Sequence, residues 1–493
     1  MTMVEHACRM DMSAAEFGGN IVKGAEAFAP KSWPVGTKQT RIRLLPLSPH
    51  PLHPQDIAAV DYSIPSPRIR SSGSATKMPK PPAAAAAADA RFTALPLELH
   101  AQIASFLPFP EVARLAVLSR PWRSIHLRTP VVDLDVFLYF GDLVSHRTTL
   151  PGLLDDDALL GVRDALLRRA RDREGTAVDV LKLDYSAGDP RIRRHADRII
   201  ALADASEVVL SVRYLISGAR PGPAAAAWAL DVPPSTRYLE LHWNDYDLAP
   251  AIAGPGAAAL REMELDNIEE LRRWPHLPSL RDLTLTSVNV KGPFAPAACF
   301  PLLENLCMCT ANIEHPRVDI LLPALKILHM DDVNVSLPAG DLGRGGDDDG
   351  DDPCYGDIAV DAPQLEVLVV KGMPEWTVEY KSFTLRAPRL RRLSWCCQYA
   401  ERVAIDVGWL GGVSKGKIQF VSNGERQQPY SRDMKYYRAQ MLQMLQGLLP
   451  DLPPETVADV ARPYMTYTVE AEGMIPEERL TCNLTALMST RTR

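Results

Sequence analysis

A proline followed by apolar residues at fixed offsets recurs along the middle of the chain, and this pattern restricts the fold more than any other feature. With the proline counted as zero, apolar residues stand at +2, +5 and +7, as in Pro278, Leu280, Leu283 and Leu285. The same frame returns at Pro301, Pro323, Pro363 and Pro388, partly at Pro234, and with alanine in place of proline at Ala258. Ordinary antiparallel strands would not keep a proline at one offset through six copies, so the pattern favours a repeat architecture.

The spacing of these anchors indicates the kind of repeat. Intervals of 24, 20, 23, 22 and 25 residues separate neighbouring anchors, apart from one interval of 40 between Pro323 and Pro363. Leucine-rich repeats are roughly 20 to 29 residues long. The +5 and +7 side chains point to one face of a short strand, so each repeat exposes an apolar edge that only the next repeat covers. We therefore expect an α/β fold with a leucine-rich-repeat solenoid over residues 131–400.

The long interval contains the acidic run Asp341–Asp352. A calcium-binding loop needs glycine at its sixth position and glutamate at its twelfth, and counting from Asp347 the chain has Asp352 and Ile358 there. We therefore predict a solvated loop inserted into a single repeat.

Less regular segments flank the main repeats. Leu181 and Leu210 lie 29 residues apart, and 29 more residues reach Leu239. Between the first two strands an amphipathic helix is predicted from Ile192, Ala196, Ile199, Ile200 and Ala203. The frame ends near Ala400, and a helical stripe follows at Met434, Tyr437, Met441, Met444, Leu445 and Leu448. We interpret residues 401–493 as a mixed α/β cap over the last apolar edge.

Residues 91–130 show a different pattern, which predicts three short helices. Leu99, Ile103, Phe106 and Leu107 share one helical face, and Pro108 ends that helix. A second helix carries Val112 and Leu115, and Pro121 begins a third that contains Trp122 and Ile125. Such a unit is too small to bury much apolar surface, so we expect it to need a partner.

Composition excludes several other classes of protein. The formal net charge of −7 leaves no broad basic surface for nucleic acid. No stretch approaches the roughly 18 apolar residues of a membrane span, and Met1 does not begin a signal peptide. The eight scattered cysteines fit a reduced intracellular compartment, which we take to be the nucleus, the cytoplasm or both. Residues 1–90 are rich in proline and alanine and are predicted to be a disordered leader.

Each candidate catalytic or metal-binding pattern in the sequence lacks a residue that its chemistry requires. Gly411, Gly416 and Lys417 have phosphate-loop spacing, but Ile418 stands where a serine or threonine must reach magnesium. The pairs Cys307 with Cys309 and Cys396 with Cys397 lack a second pair at zinc-finger spacing. We therefore expect no catalytic residue, no cofactor and no metal ion.

The helical segment closely resembles an F-box. Leu95-Pro96, the helix through Ile103, the break at Leu107-Pro108, and then Ser119 with Trp122-Arg123 follow the pattern of that domain. The sequence departs from it in having Leu118 where valine is usual and Ala104 where a larger aliphatic residue often stands. Together with the repeats, the chain resembles the plant F-box/leucine-rich-repeat family over roughly residues 92 to 490.

This resemblance implies the substrate-recognition subunit of a ubiquitin ligase, with the chemistry carried out by other subunits. A Skp-type adaptor would bind the F-box, a cullin would stand behind the adaptor, and the repeats would hold an unidentified target protein. The expected adaptor-binding residues are Leu95, Pro96, Leu99, Ile103, Leu107, Pro108, Val112, Leu115 and Trp122. Two other classes remain open: a repeat scaffold without ligase association, and an enzyme, for which no convergent polar site was found.

The repeat frame also suggests where a target would bind. Residues at +4, +6 and +8 of each strand face away from the core. In three consecutive repeats these positions form an acidic surface with an aromatic edge: Tyr238, Glu240, His242, Glu262, Glu264, Asp266 and Asp282. We predict that a basic segment of the target binds there.

Overall fold

The fold begins with a small helical module. The computed structural model describes residues 95–115, 121–135, 155–171, 177–187, 190–215, 229–244, 250–294, 296–337, 355–372, 379–408, 412–423, 433–470 and 473–491. Helices α1 (Leu97–Ala104) and α2 (Phe109–Arg114) each follow a proline, which needs no amide donor at that position, and a 3-10 helix spans Pro121–Leu127. The predicted leader, residues 1–90, lies outside the described residues.

The third element of this module is therefore a 3-10 helix, where the sequence predicted a helix without distinguishing its type. Trp122 and Ile125 are three residues apart, and residues at that spacing lie on the same side of a 3-10 helix. Both side chains are buried. The three-residue spacing that predicts a helix is therefore equally compatible with an α-helix and with the 3-10 helix found here.

Strands alternate with two longer helices in the next part of the chain. In order these elements are β1 (Val131–Asp135), α3 (Asp155–Arg171), β2 (Val180–Ser186), α4 (Pro190–Ala203), β3 (Glu207–Leu215), β4 (Ala229–Asp231), β5 (Thr236–Asn244) and β6 (Ala251–Ala253). Leu210 and Leu239 are register partners on adjacent parallel strands, which confirms the 29-residue spacing from β3 to β5. The spacing predicted from Leu181 to Leu210 is wrong, because Leu181 lies opposite Val208 and Leu183 lies opposite Leu210, so β2 and β3 are offset by 27 residues. Helix α4 buries Ala196, Ile199 and Ala203, as its periodicity predicted.

Short strands then follow at the predicted interval. They are β7 (Glu262–Asp266), β8 (Asp282–Thr286), β9 (Asn289–Val290), β10 (Asn305–Cys309), β11 (Asn312–Glu314), β12 (Arg317–Leu321), β13 (Ile327–Asp331), β14 (Asn334–Ser336), β15 (Asp357–Asp361), β16 (Val367–Lys371), β17 (Glu379–Arg386), β18 (Arg392–Cys396) and β19 (Tyr399–Asp406). One short helix, α5 (Pro296–Cys299), lies between β9 and β10. The chain ends with β20 (Lys415–Asn423), α6 (Met434–Leu448), α7 (Pro454–Val460), β21 (Tyr464–Glu470), β22 (Gly473–Asn483) and α8 (Leu484–Arg491).

One long sheet of thirteen strands organises these elements. Its order is β1-β2-β3-β5-β7-β8-β10-β13-β16-β18-β20-β22-β21, parallel as far as β20 and antiparallel beyond it. A second parallel sheet, β12-β15-β17-β19, and a smaller one, β14-β11-β9, run through the same repeats. The body that follows the helical module is therefore a β-solenoid.

The frame of +2, +5 and +7 is confirmed as the buried side of this solenoid. Leu280, Leu283 and Leu285 have exposed fractions of 1% or less, and the equivalent residues of the neighbouring copies are buried too. The register pairs Ile327 directly with Val367, so the 40-residue interval leaves the main sheet continuous. The acidic run Asp341–Asp352 lies outside the described residues.

Each repeat strand ends at a residue that the sequence frame did not single out. Position +9 has a positive φ of 50° to 54° in five repeats: Asn267, Ser287, Thr310, Asp332 and Cys397. This left-handed conformation is uncommon for residues other than glycine. In four of these five repeats the backbone N–H there donates to the last carbonyl of the next strand, as from Ser287 to Cys309 at 2.9 Å, and in the fifth the Cys397 N–H donates to the Gln419 carbonyl within β20. The turn therefore keeps the backbone ladder intact while redirecting the chain.

The C-terminal cap docks through a buried glutamine. Gln440 of α6 accepts a hydrogen bond from the Ala400 N–H (2.9 Å) and donates one to the Gln398 carbonyl (3.1 Å). Residues of the predicted helical stripe, from Met434 to Leu448, are buried on the sheet. In β20, a Cβ atom on Gly416 would lie 1.7 Å from the Leu393 carbonyl oxygen. Close packing of β20 on β18 therefore explains this glycine of the rejected phosphate-loop pattern.

Candidate protein-binding surfaces

The helical module has a small core of its own. Ala101, Ala104, Val112, Trp122 and Ile125 pack together with exposed fractions of 6% or less, and Leu97 and Leu115 lie against them. The ring centroids of His100 and Trp122 are 4.8 Å apart. This core holds α1, α2 and the 3-10 helix together.

Helix α1 is also apolar on the side that faces solvent. Leu99, Ile103, Phe106 and Leu107, which we call the α1 patch, have exposed fractions of 43%, 38%, 82% and 36%. They account for four of the ten large apolar side chains that are exposed among the described residues. Large apolar side chains that are exposed together commonly mark a protein-binding site, so the α1 patch has the composition of an interface.

The nine residues predicted to bind an adaptor fall into two groups. Pro96 and the α1 patch members Leu99, Ile103 and Leu107 are exposed, while Leu95, Pro108 and Leu115 are half-buried. Val112 and Trp122 are interior residues, so any part they take in binding is to hold α1 in place. Phe106, the most exposed large apolar residue in the described part of the chain, is predicted by the sequence to lie on the helical face but not to bind the adaptor.

The module is fixed to the solenoid at its C-terminal end. Phe109 of α2 is 3% exposed and belongs to the main core rather than to the small one. Thr129, which is fully buried, donates a hydrogen bond from Oγ1 to the Val131 carbonyl at 3.0 Å. The helical module that carries the α1 patch is therefore attached to the solenoid by buried contacts.

The second candidate surface is the outer face of the long sheet. Register places Tyr238, Glu262 and Asp282 side by side on β5, β7 and β8. It does the same for Glu240 with Glu264 and for His242 with Asp266. All seven residues predicted for target binding thus lie on one continuous face, and each is partly exposed. We call Glu240, Glu262, Glu264, Asp266 and Asp282 the acidic patch.

Two hydrogen bonds order the acidic patch. The Tyr238 hydroxyl donates to Glu264 Oε2 at 3.1 Å, and His242 Nδ1 lies 2.6 Å from Asp266 Oδ2. Partial burial is the main reason that the pKa values of Glu262, Glu264 and Asp282 are raised, and neighbouring carboxylates raise them further. The pKa of Tyr238 is raised by burial and then by the same carboxylates. The patch therefore concentrates negative charge at a cost to folding.

The same face changes from negative to positive charge towards the C-terminal end of the sheet, a change that the repeat frame does not indicate. Outward positions of β16, β18 and β20 carry Lys371, Arg392, Lys415 and Lys417. Lys415 and Lys417 fall after the last proline-anchored repeat, so the frame gave no reason to assign them to this face. Register alone reveals them, because Arg392 pairs with Lys415.

The two cysteine pairs lie at the ends of repeat strands. The Sγ atoms of Cys307 and Cys309 are 3.7 Å apart, as are those of Cys396 and Cys397, and neither pair forms a disulfide. A hydrogen bond from the neighbouring thiol lowers the pKa of Cys309 and of Cys396 to about 7.

Within the described residues, no group of three or more Cys, His, Asp and Glu side chains has the geometry to hold a metal ion. Among the helices in that part of the chain, none has the length and apolar character needed to cross a membrane.

Comparison with known proteins bears on the helical module alone. Residues 92–125 match the family model of the F-box domain. No curated protein and no solved structure matches the chain. F-box domains bind Skp-type adaptors in cullin complexes, and the proteins that carry them are generally non-catalytic adaptor subunits. The chain therefore contains a segment, residues 92–125, that matches the F-box domain, and a β-solenoid body follows it.

Proposed function

We propose that this chain is the substrate-recognition subunit of a Skp-cullin-F-box ubiquitin ligase. The α1 patch is the observation that carries the proposal, because it places uncovered apolar side chains inside the segment that matches the F-box model. Each such side chain contributes roughly 1.5 to 3 kcal/mol when a partner fully covers it. The chain itself supplies no catalytic residue, and it works in the nucleus, the cytoplasm or both.

We assign the solenoid to the leucine-rich-repeat class and propose that it binds the target. The repeat interval and the parallel strands, each with alternating buried and half-buried residues, support this assignment. The target segment lies across the outer face of the long sheet. Its basic part meets the acidic patch, and an acidic part meets the strip of Lys371, Arg392, Lys415 and Lys417.

Adaptor binding is tested by replacing Leu95 and Pro96 together with alanine in the full chain. We expect the double variant to lose co-purification with a co-expressed Skp-type adaptor, because it alters the start of α1 beside the α1 patch. Leu321→Ala is the matched control, since Leu321 is 50% exposed on β12, and it should bind normally. Undiminished adaptor binding by the double variant would contradict the assignment and favour a repeat scaffold outside any ligase.

A further inference from the structure

We propose that the chain forms a two-fold symmetric homodimer in which β21 pairs antiparallel with β21 of a second copy. Strand β21 is last in the order of the long sheet and pairs with β22 on one side, with no second neighbour among the described strands. Such an edge presents backbone N–H and C=O groups that another strand can pair with.

The side chains of β21 favour pairing rather than protection. Proteins commonly guard an edge with lysine, proline or a bulge. The strand itself, residues 464–470, contains neither lysine nor proline, and Pro463 stands directly before its first residue. Tyr464, Met465 and Tyr467 have exposed fractions of 47%, 55% and 61%. These three, like the α1 patch, form a concentration of large apolar side chains at the surface.

The register shows which face of the sheet these side chains extend. Residues opposite each other in an antiparallel pair share a face, and Phe420 lies opposite Leu480, both buried in the core. Residues 478 and 480 of β22 lie on that same face. Met465 is opposite position 478, and Tyr467 is two residues further along β21, so both continue the core-side face out to the edge.

The sequence around β21 is complementary to itself in the antiparallel direction, and this identifies the partner as a second copy. Pairing centred on Thr466 sets Met465 opposite Tyr467 of the other copy, on the core-side face. It also brings position 462, an arginine two residues before the strand, level with position 470, a glutamate at its end, and the symmetry repeats both pairs. Arg462 is 73% exposed in its ion pair with Asp459, so it can turn towards a new partner at little cost.

A single pair of edge strands buries less area than a standard stable interface. The dimer is therefore concentration-dependent, and sedimentation velocity on the full chain should show a monomer-dimer equilibrium. Glu470→Arg places like charges opposite each other at both ends and should weaken dimerisation. Adding Arg462→Glu to that variant restores opposite charges and should restore the dimer, a recovery that damage to the fold would not produce.

Cysteine cross-linking tests the register. Thr466 lies on the two-fold axis, so Thr466→Cys should form a covalent dimer when oxidised glutathione is added. Thr468→Cys is the matched control, because positions 468 of the two copies lie about 13 Å apart along the strands and should not cross-link. The wild-type chain provides the background from its native cysteines.

Three results would overturn the proposal. The first is a chain that stays monomeric at all concentrations, and the second is equal cross-linking by the two cysteine variants. The third is a dimer that survives Glu470→Arg but is lost on Phe106→Lys, since that would place the interface on the α1 patch.

Discussion

Two carboxylates illustrate how single residues on the outer face oppose folding. Glu262 and Asp282 lie opposite each other on β7 and β8, and burial is the main cause that raises the pKa of each. A neighbouring carboxylate raises each pKa further, which is Asp282 for Glu262 and Glu304 for Asp282. A raised pKa means that the folded chain binds the proton more tightly than the unfolded chain. The ionised carboxylates therefore destabilise the fold at neutral pH, and the cost is lost as the pH falls through the folded pKa towards the unfolded value.

Glu262→Gln should consequently stabilise the chain at pH 7 by roughly 0.5 kcal/mol, because it removes one of two like charges on neighbouring strands. The gain should shrink as the pH approaches 4.5, the ordinary value for glutamate. Urea denaturation at both pH values measures it, with Glu401→Gln, an exposed carboxylate on β19, as the control. A gain that is equal at both pH values would show that the charge is not its source.

Individual residues also show where sequence reasoning stops. Periodicity identified Leu99, Ile103, Val112 and Trp122 as apolar positions, and all were assigned to the adaptor interface. The structure separates them, because Val112 and Trp122 fill the small core while Leu99 and Ile103 face solvent. Helix α1 is apolar on both sides, so its pattern alone cannot say which side packs inwards.

At the scale of elements, the repeat strands were predictable because each obeys one local rule. The frame located β7, β8, β10, β13, β16 and β18, and the burial of their +5 and +7 residues agrees. The antiparallel pair β21 and β22 was not predicted, since it lies outside the frame and its pairing depends on contacts distant in sequence. The left-handed residue at +9 was missed because five different residue types occupy it.

The acidic insert and the repeat strands should respond very differently to mutation. Deleting Asp341–Asp352 should change the melting temperature little, because loop length contributes weakly to stability. An isolated β-bridge between Ser336 and Tyr355 also joins the two sides of the segment that contains this insert. Leu283→Ala removes a fully buried side chain and should cost about 2 to 5 kcal/mol. Thermal denaturation of both variants checks this, and equal losses would contradict the repeat frame.

At the scale of the whole molecule, two surfaces with different chemistry lie on one anchored body. The α1 patch is apolar, whereas the outer face of the long sheet runs from acidic at β5 to β8 to basic at β16 to β20. In the proposed function, the first surface binds its partner by burying apolar side chains and the second by complementary charge. Target binding should therefore weaken with added salt, while adaptor binding should depend on salt much less.

Reversal of two charges separates these two surfaces. Replacing Glu262 and Glu264 with lysine should abolish capture of the target, because a basic segment would then meet positive charge. Adaptor binding should persist, since neither residue is near the α1 patch in sequence or strand order. Affinity capture followed by mass spectrometry, compared with the wild-type chain, measures both. Target retention with unchanged salt dependence would move the target site to the loops or the C-terminal cap.

Hydrogen-deuterium exchange of the full chain, with and without a purified Skp-type adaptor, tests the central claim most directly. We predict that the adaptor slows exchange of backbone amides in α1 and the turn before α2, over residues 97–109, and leaves β5, β7 and β8 unchanged. Protection confined to the sheet, or no protection at a saturating adaptor concentration, would contradict the assignment of the α1 patch as the adaptor site.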